Sequence, residues 1–151
     1  MDAALAAASE ASAGAFIDAL WLEEGLSRNT LDAYRRDLVL FGQWLAGQGT
    51  SAKTLPEAGE ADISAYFAAR HDQTRATTAN RRLTVFKRFF RWALRERLIT
   101  TDPTLRLLAA RQPLRVPKTL SETQVEALLA APDTGTPLGL RDRAMLELMY
   151  A

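Results

Sequence analysis

One segment, Arg75 to Arg97, restricts the possible folds more than any other, because it reads as a single helix with two incompatible faces. At about 100° per residue, Leu83, Phe86, Phe89, Phe90, Ala93 and Leu94 fall on one side. Arg81, Thr84, Arg88, Arg91 and Arg95 recur at spacings of three and four on the other. The phenylalanine side must be covered by other elements, and the arginine side must stay at the surface. Eight bases (Arg75, Arg81, Arg82, Lys87, Arg88, Arg91, Arg95 and Arg97) against one acid, Glu96, give the segment +7 in a chain whose total is +1. Like charges at i,i+4 repel by a few tenths of a kcal/mol per pair, so a purely solvated role explains the stripe poorly. A polyanion along it reverses the sign of that cost, and nucleic acid is the obvious candidate. The reading needs guanidinium groups free to reach a groove, and carboxylate partners for them count against it.

The bulk numbers exclude several alternatives. A chain of 151 residues makes one ordinary domain, or one domain and part of another. A hydrophobic share of 48% with 25% charged residues is that of a soluble globular protein. With no cysteine there is no disulfide or thiolate metal site, which suits a reducing cytoplasm. The single histidine, His71, has no second histidine to share a metal and reads as a loop residue after a helix. Neither metal nor cofactor is implied. No apolar run is expected to reach the roughly 18 residues of a membrane span. The first 26 residues hold Asp2, Glu10, Asp18, Glu23 and Glu24 with no base, unlike a secretory leader. No membrane partner is expected.

Local patterns predict an all-α chain. The first helix is expected from about Ser12 to Glu24, with Phe16, Ile17, Leu20 and Trp21 on one face and a stop near Gly25. Ser27 is placed to cap a second helix, Arg28 to about Ala46, ended by Gly47 or Gly49. Its apolar stripe is Leu31, Tyr34, Leu38, Phe41 and Leu45. After a loop at Gln48 to Glu60, a short helix from Asp62 to Arg70 buries Ile63, Tyr66 and Phe67. Thr77 or Thr78 caps the basic helix, which ends near Arg97 or Leu98, and Asp102-Pro103 opens a short helical turn. The prolines and bases of 109–119 read as an interdomain linker. Ser121-Glu122-Thr123-Gln124 is a capping-box pattern for a helix to Ala130, and a last helix starts near Leu140. That helix reaches Ala151 with Leu146, Met149 and Tyr150 uncovered, so the chain is expected to be the front part of something longer.

Taken in order, these blocks resemble a known family. Phe16-Ile17-Asp18-Ala19-Leu20-Trp21-Leu22-Glu23, Ser27-Arg28-Asn29-Thr30-Leu31-Asp32-Ala33-Tyr34-Arg35-Arg36-Asp37-Leu38 and Arg81-Arg82-Leu83 to Phe89-Phe90 carry the first part. Asp102-Pro103, Val116-Pro117-Lys118-Thr119-Leu120-Ser121 and Leu140 to Ala151 carry the rest. The chain is similar to the N-terminal portion of tyrosine site-specific recombinases of the bacterial Xer type, in the XerD branch. The resemblance implies a four-helix, SAM-like core-binding domain at 1–108, a linker at 109–119 and the start of a catalytic domain at 120–151. It also implies a related recombinase subunit in a heterotetramer on DNA, a septal DNA translocase as partner, and chromosome dimer resolution at cell division. The family's catalytic arginines, lysine, histidines and tyrosine nucleophile have no counterpart in the chain, which is therefore expected not to cleave DNA by itself. Tyr150, Arg141 and Arg143 match helix positions ahead of the first catalytic arginine.

On this reading Arg81, Arg88 and Arg91 are the leading DNA contacts, with Lys87 and Arg95 on phosphates and Arg75 and Thr84 beside them. Arg97 turns toward the apolar side and caps the helix end. Thr30, Arg35 and Arg36 on the second helix either face the duplex or, for the arginines, pair with Asp32 or Asp37. Tyr34 belongs to the core stripe. Trp21, Trp44 and Trp92 read as packing residues, with Trp92 the one placed for exposure. Arg111, Arg115 and Lys118 follow the backbone as the linker crosses DNA. One rival is a phage or integron integrase, and another is a non-enzymatic helical module whose basic face binds an acidic protein.

Overall fold

A computed structural model describes residues 2–111 and 119–151 and contains, among them, six α-helices and no strand. They are α1 (Ala3–Glu24), α2 (Arg28–Ala46), α3 (Glu60–Ala69), α4 (Ala76–Arg95), α5 (Glu122–Ala130) and α6 (Pro137–Tyr150). Residues 1–112 and 113–151 form two compact units.

In the first unit, α1 begins at Ala3, well before the expected Ser12. Asp2 supplies the cap: its carboxylate accepts the Ala4 N–H at 3.0 Å, and its own N–H donates to the Ala46 carbonyl at 3.0 Å. Alanine has the highest helix propensity, and Ser9 and Ala13 are already buried, so tertiary contact holds a segment that would fray alone. By length and mean hydropathy Ala3–Glu24 is apolar enough to cross a membrane, which corrects the expectation that no segment reaches that threshold. Its buried residues, Ala13, Phe16, Ile17 and Leu20, instead belong to the bundle core. Trp21 lies one position past that stripe and is 61% exposed, contrary to its expected packing role.

Helix α1 ends as expected at Gly25, whose φ of 61° places it in the left-handed region that favours glycine. Helix α2 is capped by Ser27 and packs along α1. The approach is close at Gly42: a Cβ built there would lie 2.6 Å from the Ser9 Cβ. Ser9 in turn accepts the buried Leu55 N–H at 3.1 Å, tying the loop after α2 to α1.

The core is largely aromatic. Phe41 stacks on Phe86 at 4.7 Å and meets Tyr66 at 4.9 Å, joining α2, α3 and α4. Phe16 meets Phe89 edge-on at 5.6 Å, joining α1 to α4. Helix α4 starts at Ala76 with Arg75 as its cap residue, earlier than Thr77 or Thr78, and without a side-chain cap. It stops at Arg95 because Arg97 adopts φ 58°, and the Leu98 N–H closes back to the Ala93 carbonyl at 2.9 Å. Asp102-Pro103 opens a turn rather than a helix, since the Asp102 carboxylate accepts both the N–H and the hydroxyl of the buried Thr104, at 2.8 and 2.6 Å.

The second unit holds α5 and α6. Ser121 caps α5, with Gln124 accepting the Ser121 N–H at 3.0 Å, as its sequence pattern predicts. Helix α6 begins at Pro137, ahead of Leu140, because Thr136 caps it by accepting the Gly139 N–H at 3.1 Å. Leu148, Met149 and Tyr150 on α6 are exposed.

Candidate nucleic-acid interface

Helix α4 presents the two predicted faces, except that Leu94, expected on the covered side, is 40% exposed and Arg88 is only partly exposed. Leu83, Phe86, Phe89, Phe90 and Ala93 are buried, and Arg81, Thr84, Arg91 and Arg95 are exposed. The structure departs from the sequence reading in what the arginines touch.

Arg81 pairs with Asp37 of α2: one terminal nitrogen donates to Oδ1 at 3.1 Å, and the other lies 2.6 Å from Oδ2 as an ionic contact without hydrogen-bond geometry. Arg82 Nε donates to the same carboxylate at 3.3 Å. Asp37 is 2% exposed, so this trio is a fixture of the interior rim rather than a surface pair. Arg35 and Arg36 therefore do not hold Asp37. Arg35 lies over α1, with a terminal nitrogen 3.6 Å from where a Gly14 Cβ would stand. Arg36 is exposed.

Toward the end of α4 the partners come from α1. Arg88 donates to both oxygens of Glu24, reaches the Tyr34 hydroxyl at 3.5 Å and sits 5.5 Å from the Tyr34 ring centroid. Tyr34 is accordingly half-buried with its polar end in use, rather than a plain core residue. The Glu24 hydrogen bond, against some burial, raises the affinity of Arg88 for its proton. Arg95 forks on Glu23 at 2.6 and 2.8 Å and also meets Glu96 at 3.0 Å. The Glu23 carboxyl is held below the usual carboxylate range, chiefly by the Arg95 hydrogen bond.

Arg75, Lys87, Arg91, Arg97 and Arg111 make no ion pair among the described residues. The requirement for free guanidinium groups thus fails at Arg81, Arg88 and Arg95 and holds at Arg91, with Lys87 and Arg75 beside it. Counting Asp37, Glu23 and Glu24 with Glu96, the eight bases of 75–97 face four acids, a net of +4 in place of +7. Thr84 donates its hydroxyl to the Asn80 carbonyl at 3.0 Å, and Thr30 shares a 2.9 Å hydrogen bond with Ser27 at the start of α2. Both hydroxyl groups are engaged in their own helices. Arg115 and Lys118 lie outside the described residues. His71 is exposed beside Asp72, and no metal-binding cluster occurs among the described residues.

Sequence reasoning missed Asn80. Its side-chain amide donates to the Ala110 carbonyl at 2.9 Å and accepts the Ala110 N–H at 2.7 Å, pinning the chain beyond the bundle to the first half of α4. No local signal announces such a clamp, because the partner is thirty residues away.

Residues 14–97, which contain this face and the helices behind it, match the family model of the phage integrase N-terminal SAM-like domain. The chain is 69% identical over 136 residues to the tyrosine recombinase XerD of Ralstonia nicotianae, covering 90% of this chain and 43% of that protein. Identity is 49% over 137 residues to XerD of Pseudomonas putida and 47% over 140 residues to XerD of Proteus mirabilis, covering 90% of this chain and 45% and 43% of those proteins. The chain thus spans under half the length of these relatives.

Proposed function

Because the chain belongs to the phage-integrase N-terminal SAM-like family, in its XerD-like tyrosine-recombinase branch, we propose that it grips double-stranded DNA through the solvent face of α4. Lys87, Arg91 and Arg75 supply the immediately available cations, Arg35 and Arg36 extend the surface onto α2, and the linker bases continue it. Arg81 keeps an exposed edge while its other edge is fixed by Asp37, which presents a preoriented guanidinium. The observation that carries the reading is the family match over 14–97, since the charge pattern alone is half neutralised.

The proposal extends to site-specific recombination in the cytoplasm. The chain would act beside a related recombinase subunit in a heterotetramer on DNA, with a septal DNA translocase, to resolve chromosome dimers at division. The part proposed for residues 1–151 is binding and positioning. The family's tyrosine attack on a phosphodiester, with arginines stabilising the phosphoryl oxygens, uses positions not matched in residues 1–151.

Titration of a DNA duplex at several salt concentrations tests this. With about five phosphates engaged, log affinity should fall against log salt with a slope near −4.5. A flat response, or no binding at low salt, overturns it. A protein partner for the basic face is the competing outcome, visible as binding to an acidic polypeptide without binding to DNA.

A further inference from the structure

The two kinds of arginine–carboxylate contact on α4 differ in a way that bears on how DNA is bound. Asp37 is buried and holds Arg81 and Arg82 from below. Glu23 and Glu24, on α1, have side chains 48% and 44% exposed and pair with Arg95 and Arg88. They line, with Arg88, Arg91, Trp92 and Arg95, a cleft of about 350 Å³ between α1 and α4.

The position of the two glutamates is unfavourable for α1 itself. They occupy its last turn, which holds no base, where the helix dipole places negative potential and disfavours a carboxylate. Helix stability therefore does not explain them. Their geometry matches what an arginine offers a phosphate: Glu23 takes Arg95 as a two-bond fork, and both Glu24 oxygens accept from Arg88. Exposed pairs of this kind are weak, so an incoming phosphate can displace them, whereas Arg82, only 15% exposed, stays confined against the buried Asp37.

We propose that Glu23 and Glu24 are internal phosphate mimics that occupy Arg95 and Arg88 until a DNA backbone displaces them. The inference rests on the DNA-binding reading and adds to it the residues that set affinity. Free protein presents Lys87 and Arg91 first, and Arg88 and Arg95 join only at the cost of breaking their pairs. The latch lowers non-specific affinity for any polyanion, because loosely held DNA does not displace both carboxylates.

The test compares four forms of the full 151-residue chain on one duplex across a salt series: the unaltered chain, Glu23→Gln with Glu24→Gln, Glu10→Gln with Asp18→Asn, and the first pair combined with Arg88→Gln and Arg95→Gln. Glu10 and Asp18 are exposed on α1 and make no ion pair among the described residues, so their replacement alters net charge equally without touching the latch. The latch pair should raise affinity about tenfold at low salt and steepen the slope by up to about 1.8, two further phosphates' worth. The control pair should move both far less, and the arginine replacements should erase the gain. Melting temperatures verify that every form is folded. Equal effects from latch and control pairs, or no gain from the latch pair while the unaltered chain still binds, overturn the latch alone. Absence of DNA binding by every form overturns the DNA reading and the latch together.

Discussion

Replacing Asp37 with alanine probes the one buried charged side chain among the described residues of the first unit. The carboxylate is 2% exposed, accepts from Arg81 at 3.1 Å and Arg82 at 3.3 Å, and has a second Arg81 nitrogen 2.6 Å from its other oxygen. Removing one member of a buried pair typically costs about 3–5 kcal/mol, because the remaining charge is left in a poorly solvated place. That figure applies in full only where the partner cannot reach water. The Arg81 side chain is 44% exposed and can swing out, so its loss resembles that of a surface pair, below about 1 kcal/mol. The Arg82 side chain is 15% exposed and remains largely confined. Weighting the two gives a destabilisation of about 2–4 kcal/mol. For a domain near a hundred residues this is a fall in melting temperature of roughly 8–16 °C. Urea unfolding followed by circular dichroism should show the midpoint move with little change in slope. Asp37→Asn keeps the volume and one acceptor and should fall between the two. An Asp37→Ala chain within about 0.5 kcal/mol of the parent would refute the claim that the carboxylate neutralises a confined Arg82.

Gly42→Ala places a Cβ against Ser9 and Leu55, and overpacking of about 1–3 kcal/mol should outweigh the roughly 1 kcal/mol gained in helix propensity. Calorimetry should show a lower melting temperature. Arg97→Gly should stabilise by about 0.5–1 kcal/mol in urea titrations, because Arg97 sits at φ 58° where a side chain is strained. Asn80→Ala should leave the unfolding free energy within about 1 kcal/mol of the parent yet speed amide exchange around Ala110, whose N–H bonds to Asn80. The Glu57 carboxyl is held below its ordinary 4.5, first by the Thr54 N–H at 2.8 Å and then by the Thr54 hydroxyl at 2.7 Å. A lowered folded value means stabilisation that is present above the unfolded value and lost as pH falls through the folded one. Unfolding free energy should therefore decline below about pH 4.5, and Glu57→Gln should flatten that decline.

Sequence alone determined the helical class, the caps at Ser27, Gly25 and Ser121, and the two faces of α4. Those properties depend on neighbours three or four residues away, so the chain order carries them directly. It could not place the start of α1, where burial of Ser9 and Ala13 extends an alanine-rich stretch back to Asp2. It also could not assign partners to the arginines. Arg88 and Glu24 are 64 residues apart, Arg95 and Glu23 are 72 apart, and Asp37 is 44 from Arg81. Which charges meet depends on how α1 and α2 lie against α4, set by the packing of Phe16, Phe41, Phe86 and Phe89. Charge counts are additive along a sequence, but electrostatic availability is decided by distance in space, and only the packed bundle fixes that distance.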